Sequence, residues 1–212
     1  MSDESKLRDG ASSLGIQLSG QQCERLLAYA ALILKWNKVY NLTALRAPDE
    51  VLTHHLLDSM AVCGPLRREK PQGGRLLDVG SGAGLPGAVI AILRDDIDVR
   101  CLDAVAKKAA FVQQVASELG LRNLHGTHER VEKLAGSFDV ISSRAFASLE
   151  DFVSGSAHLL APGGVWLAMK GKVPDAEIAS LPADAQVFHV EQLSVPGLDA
   201  DRCIVWMRKP AA

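Results

Sequence analysis

The chain has 212 residues, 48% of them hydrophobic and 23% charged, and carries a net charge of −2. That length supports one substantial core and at most a small appendage, and the charge excludes the global basic field that announces many nucleic-acid partners. Cys23, Cys63, Cys101 and Cys203 stand far apart, with no CxxC pair and no His at ligand spacing, so neither a metal site nor a disulfide framework is expected. The longest apolar run, Leu26 to Leu34, is too short for a bilayer, so the expected setting is the cytoplasm without a membrane partner.

Residues 1–72 read as a helical extension and 73–212 as the main domain. Ser19-x-x-Gln22 is a capping-box pattern, followed by Leu26, Leu27, Ala30, Ile33 and Leu34 at helical spacing. A further helix starts at Pro48, with Asp49 and Glu50 placed favourably against the helix dipole, and runs through Leu52, Leu56 and Met60. His54 and Asp58, four apart on it, read as a structural pair, since no third metal ligand accompanies them. From Gly73 onward strands and helices alternate. Strands are expected at Leu76–Val79, Val99–Leu102, Leu124–Thr127, Phe138–Ser142, Val165–Met169, Gln186–Val190 and Ile204–Met207. The clearest helix is Lys107 to Leu119, with Phe111, Val112, Val115 and Leu119 on one side and Gly120 as its stop. Such alternation predicts an α/β fold with a mainly parallel sheet and a ligand site outside the carboxyl ends of its strands. Gln186–Val190 and Ile204–Met207 lack a helix between them and read as an antiparallel edge hairpin.

The run Leu76-Leu77-Asp78-Val79-Gly80-Ser81-Gly82-Ala83-Gly84-Leu85-Pro86-Gly87 is strand, glycine loop and helix start in succession. Glycines at such a corner permit positive φ and let a ligand approach the backbone. They fit two registers, Gly80-x-Gly82-x-Gly84 and the dinucleotide-like Gly82-x-Gly84-x-x-Gly87. The first is favoured, because Gly80 directly follows the strand and Asp78 places an anion where a pyrophosphate would lie. S-adenosylmethionine, cationic and without phosphate, suits that acid better than NAD does. Asp103 ends the next strand, where ribose hydroxyls are bound in nucleotide-binding folds; alone it would read equally well as a helix cap.

The segments Asn41-Leu42-Thr43-Ala44, His55-Leu56-Leu57-Asp58-Ser59, Asp78 to Gly87, Ser143-Arg144-Ala145-Phe146-Ala147 and Lys170-Gly171 follow one another in an order that resembles the bacterial 16S ribosomal RNA guanine-N7 methyltransferase family, also called glucose-inhibited division protein B. The resemblance covers about residues 36 to 207. It implies a class I, Rossmann-like methyltransferase fold with a seven-stranded sheet, S-adenosylmethionine as cofactor, and a guanine in the 530 loop of 16S rRNA as acceptor. The implied partner is 16S rRNA within a small ribosomal subunit or assembly intermediate, met by a monomer. The resemblance puts Gly80, Leu85, Val131, Glu132 and Arg144 at the cofactor, beside Asp78, Ser81, Gly82, Gly84 and Asp103 from the loop and strand reading.

Arg144 and Lys170, after the fourth and fifth strands, are the catalytic candidates. Arg144 could serve the methionine carboxylate, an RNA phosphate or guanine O6, or only a surface acid. Lys170 reads as a phosphate contact or as a solvated lysine. No Asp/Asn-Pro-Pro-aromatic segment follows the fourth strand, as amino-group methylation would ask, and no cysteine nucleophile lies near these strand ends. Guanine N7 needs neither, because its lone pair lies in the ring plane and carries no proton. Basic candidates for RNA are Arg67, Arg68, Lys70 and Arg75, then Lys107, Lys108, Arg122 and Arg130. Competing readings are methylation of a small molecule or protein, a non-catalytic ribosome assembly factor, and a nicotinamide-dependent oxidoreductase.

Overall fold

Leu76 and Leu77 point to opposite faces of a strand, yet both are fully buried, so this strand must be covered on both sides. In the computed structural model, which describes residues 2–144, 146 and 148–210, it is the middle of a sheet. The strands are β1 (Gly74–Val79), β2 (Ile97–Asp103), β3 (Leu124–His128), β4 (Phe138–Arg144), β5 (Leu160–Lys170), β6 (Gln186–Leu193) and β7 (Arg202–Arg208). Their order is β3-β2-β1-β4-β5-β7-β6. β1 to β5 run parallel, and β7 inserts antiparallel between β5 and β6. The strand order turns between β1 and β4, and a crevice forms at such a switch point.

All seven strands arise where the sequence pattern predicts them, and the last two form the expected hairpin. β5 begins earlier than its apolar run, since Leu160 pairs with Phe138 across a register shift. Ala145 and Ala147 of the Ser-Arg-Ala-Phe-Ala segment lie outside the described residues.

The helices are α1 (Asp3–Ser13), α2 (Gly20–Tyr40), α3 (Pro48–Val51), α4 (Asp58–Met60), α5 (Cys63–Glu69), α6 (Gly87–Leu93), α7 (Ala106–Glu118), α8 (Leu149–Ser156) and α9 (Asp175–Ala179). The Ser19 hydroxyl accepts from the Gln22 amide and Gln22 reaches back to the Ser19 N–H, closing the expected capping box of α2. The helix expected from Pro48 departs from regular form. Between α3 and α4 the chain makes a π-helical turn, Leu52–Leu57, a wider winding that often marks functional sites.

One core cluster joins Leu7, Leu26, Ile33 and Leu56 from the first helices to Ile90, Val99, Phe111 and Leu76 of the α/β part. The other face buries Leu77, Ile141, Phe152 and Trp166. Helical extension and sheet therefore share a continuous interior. No helix among the described residues is long and apolar enough to cross a membrane.

Candidate active site

The glycines between β1 and α6 divide into two kinds. Gly80 and Gly82 have φ of 66° and 58°. A Cβ at Gly82 would meet nothing within 4 Å, and one at Gly80 only Phe146 at 4.0 Å; these two keep an open cradle. Gly84 and Gly87 face the interior instead. A Cβ at Gly84 would stand 3.1 Å from Val112, and one at Gly87 2.5 Å from Cys101 Sγ. Behind the loop, Tyr29 of α2 donates to the Ala83 carbonyl at 2.6 Å.

Asp78 is placed differently from its sequence reading. Its carboxylate is fully buried, accepting from the Gly87 N–H at 2.9 Å and the Ser142 hydroxyl at 2.9 Å. Both oxygens are thereby used to tie β1, β4 and the start of α6 together, so it shapes the loop from behind rather than facing the cradle. Ser81 and Leu85 are likewise buried in the loop's underside.

Burial raises the Asp78 pKa to about 6, against the opposing pull of its two hydrogen bonds. An acid whose folded pKa exceeds its unfolded value near 4 binds more protons when folded, so its contribution to stability falls as pH rises through that interval and is flat above it. The isosteric Asp78→Asn removes this titration. Wild type minus variant, the unfolding free energy is expected to drop by on the order of 2 to 3 kcal/mol between pH 4 and pH 7. Urea unfolding at a series of pH values checks this, and a difference independent of pH would contradict it.

Asp103 closes the cradle at the end of β2. It accepts from the Gly82 N–H at 3.0 Å and from the Val105 N–H at 2.9 Å, with Lys108 3.8 Å away. Beside it opens a cavity of about 230 Å³ lined by Gly80, Asp103, Val131, Glu132 and Phe146 among others. An acid at its rim and apolar walls of Val79, Leu102, Val131 and Phe146 suit a ribose and a purine. The predicted residues Gly80, Asp103, Val131 and Glu132 thus converge, although they come from three different connections.

Arg144 and Lys170 line a second cavity, of about 420 Å³, with Leu45, His54, His55, Asp58, Met169, Gly171 and Arg202. β4 and β5 run in register here, Arg144 opposite Met169, so Arg144 and the next residue of β5, Lys170, reach the cavity at neighbouring strand ends from opposite faces of the sheet. The Arg144 NH1 donates to the His54 carbonyl at 3.1 Å and to Asp58 Oδ2 at 3.2 Å. Asp58 Oδ1 accepts from Arg202 at 2.8 Å, so both of its oxygens are held by arginines. The π turn delivers the His54 carbonyl and Asp58 to one guanidinium; the two residues do not pair with each other as their spacing suggested.

His55 Nδ1 lies 3.4 and 3.5 Å from the Arg144 guanidinium, and its Nε2 is 2.7 Å from the Thr43 hydroxyl. Burial, reinforced by Arg144, lowers its pKa to about 4, so the imidazole is neutral at physiological pH. Thr43 is fixed in turn by Asn37, whose side chain accepts from the Thr43 N–H at 2.9 Å and donates to the Leu45 carbonyl at 2.8 Å. Lys170 is not a solvated lysine: its ammonium sits 2.8 and 3.1 Å from the Glu177 carboxylate.

The basic residues proposed for RNA scatter. Arg75 lies near the amino end of β1, opposite the cavities, over the Phe138 ring. Arg68 pairs with Glu191 and Lys70 reaches the Gly163 carbonyl. Arg67 lines a separate cavity with Arg94, and Arg122 precedes β3 at that same far end. Arg130 alone of the eight lines the cavity beside Asp103. Tyr29, Asn37, Thr43, His55, Asp58 and Arg202 were not singled out for the site by pattern. Only the segments Asn41-Leu42-Thr43-Ala44 and His55 to Ser59 carried a signal of them.

Residues 22–205 match the family described as rRNA small subunit methyltransferase G. Two proteins named ribosomal RNA small subunit methyltransferase G are close relatives. The one from Acidovorax sp. (strain JS42) is 62% identical, covering 98% of this chain and 96% of its own. That from Acidovorax ebreus (strain TPSY) is 63% identical over the same shares. Among solved structures, a 1,6-didemethyltoxoflavin-N1-methyltransferase from Burkholderia thailandensis, with bound S-adenosylhomocysteine, aligns with a TM-score of 0.59 at 16% identity, covering 87% of this chain and 90% of its own. A ribosomal protein L11 methylase from Lactobacillus delbrueckii subsp. bulgaricus also gives 0.59, at 14% identity and 73% and 79% coverage. These two show the class I methyltransferase fold.

Proposed function

The chain belongs to the rRNA small subunit methyltransferase G family, and on that premise we propose that it methylates N7 of a guanine in the 530 loop of 16S rRNA, acting as a monomer on a small ribosomal subunit or an assembly intermediate. It is an enzyme that uses S-adenosylmethionine. The cofactor supplies an electrophilic methyl carbon on a positively charged sulfur.

The open backbone at Gly80 and Gly82 and the 230 Å³ cavity beside Asp103 fit a nucleoside. Asp103 would accept from the ribose hydroxyls, with Val131 and Glu132 at the adenine. Asp78, Ser81, Gly84 and Leu85 act through the loop they hold in shape. Arg144 spends its NH1 on the His54 carbonyl and Asp58, while among the described residues its NH2 has one weak contact, His55 Nδ1 at 3.4 Å. That free edge is the cation for the methionine carboxylate. Lys170, steadied by Glu177, would meet a phosphate of the acceptor nucleotide.

The observation that carries the choice of N7 is the state of the acceptor cavity. Its carboxylate, Asp58, is held by two arginines, and His55 is a weak base with a pKa near 4. Asp58 has both oxygens taken by arginines, His55 is too weak a base, and His54, which also lines the cavity, turns its backbone carbonyl to Arg144; N7 has no proton to give up. Alignment of the lone pair with the methyl is the whole task, and positioning alone supplies large accelerations.

Small subunits from an unmethylated source, incubated with radiolabelled S-adenosylmethionine and then digested to nucleosides, are expected to yield label in 7-methylguanosine at one site. Naked 16S RNA run in parallel is expected to be the poorer substrate. Label in another nucleoside, or in protein alone, would overturn the assignment.

A further inference from the structure

We propose that the carboxyl end of α2 and the loop after it form a stacking and phosphate-binding platform for the RNA strand that flanks the target nucleotide; the proposal rests on the rRNA reading above. The first observation is exposure. Val39 is 70% and Tyr40 39% exposed, two of the three large apolar side chains so exposed among the described residues. The Tyr40 ring is braced from beneath by Trp36, with centroids 5.1 Å apart, and Trp36 sits edge-on to the buried Phe111 at 5.3 Å. An aromatic ladder therefore runs from the core to an uncovered ring. A ring so fixed offers its face to a base at little further entropic cost.

The second observation is charge. From Arg25 to Pro48 the chain has no Asp or Glu, although acids outnumber bases in the whole sequence. Lys35, Lys38 and Arg46 are all exposed here. Neither lysine has an acid partner among the described residues, and Arg46 makes one hydrogen bond, to the Asn41 side chain. The next acids along the chain are already engaged, Asp49 by Lys6 and Glu50 by the Ala47 N–H. Lys38 and Arg46 face each other across a hollow of about 330 Å³, lined also by Leu34, Asn37 and Pro48. Two cations without acid partners around one hollow, on a helix end that also carries a partly exposed aromatic ring, are the chemistry of a single-stranded nucleotide, phosphate and base together.

The third is continuity. Asn37, in the wall of this hollow, donates to the carbonyl of Leu45, which lines the cavity holding Arg144 and Lys170. A strand held at Lys38 and Arg46 would thus lie against a wall shared, through Asn37 and Leu45, with the acceptor cavity. Arg75 and Arg122, at the amino ends of the strands, have no such path.

Tyr40→Ala, Lys38→Glu and Arg46→Glu are to be compared with wild type for methylation of small subunits, with S-adenosylhomocysteine affinity measured separately. Each is expected to raise KM for subunits about tenfold or more while kcat and cofactor affinity stay within twofold. In the charge variants the slope of log KM against log salt is expected to fall by roughly 0.7 to 0.9 for each phosphate no longer neutralised. Unchanged KM and slope, or a loss confined to kcat or cofactor binding, would overturn the platform. A photo-crosslinker installed at Val39 is expected to attach to 16S rRNA; attachment only to ribosomal protein would overturn it as well. Failure of the wild-type protein itself to form 7-methylguanosine would strike the function, whereas an active wild type with unaffected variants strikes the platform alone.

Discussion

Asp103→Ala is expected to weaken binding of S-adenosylhomocysteine by at least about 100-fold in calorimetric titration. On the proposed role, the ribose hydroxyls would lose their bonds to this carboxylate, and bonds to a charged group are worth roughly 1.5 to 3 kcal/mol each. It also holds the Gly82 and Val105 amides in place, so its removal slackens the cradle. Asp103→Asn keeps one acceptor oxygen and is expected to fall between wild type and Ala. A change below threefold for Ala would mean that Asp103 merely caps the turn before α7.

Arg144→Ala tests a different part of the same ligand. Asp58 keeps Arg202 as partner after this substitution, so no buried carboxylate is stranded and the fold should persist. The expected result is a loss of roughly 10- to 100-fold in affinity for S-adenosylhomocysteine, the size of a charge-assisted hydrogen bond to a carboxylate. Affinity for methylthioadenosine, which lacks the carboxylate, is expected to change little. Asp103→Ala, in contrast, should weaken both ligands alike. Arg144→Lys is expected to rescue poorly, since an ammonium cannot bridge Asp58, the His54 carbonyl and a ligand at once as a planar guanidinium does. Equal losses for both ligands in Arg144→Ala would remove it from the carboxylate.

The strands were legible because a buried parallel sheet favours apolar runs, and Leu76, Val99, Phe138 and Val165 each begin a mostly apolar one, whereas the edge strand β3, Leu-His-Gly-Thr-His, is apolar only at Leu124. The hairpin of β6 and β7 was legible from the lack of a helix between them. Gly80, Asp103, Val131 and Glu132 could be brought to one cavity because each stands at or shortly after the end of a strand. The pairing of Arg144 with Asp58 could not, since it depends on how a π turn winds, and hydrophobic spacing reports regular helices only. Asp78 shows the opposite limit. A carboxylate beside a glycine loop has the same sequence whether it faces a ligand or turns inward to Gly87 and Ser142, and only the packing of β4 against β1 decides.

α2 ties two distant parts of the molecule together. Tyr29 holds the glycine loop through the Ala83 carbonyl, and Tyr40 ends the same unbroken helix. At about 1.5 Å per residue the two are roughly 16 Å apart along its axis. The helix is thus a ruler, fixing both the distance and the rotational phase between the donor side of the enzyme and the surface that would seat the acceptor strand. If Tyr40 seats the acceptor strand, the length of α2 is under a constraint that burial alone would not impose, because a single residue added between the two tyrosines would swing Tyr40 about 100° around the rod while leaving the glycine loop where it stands.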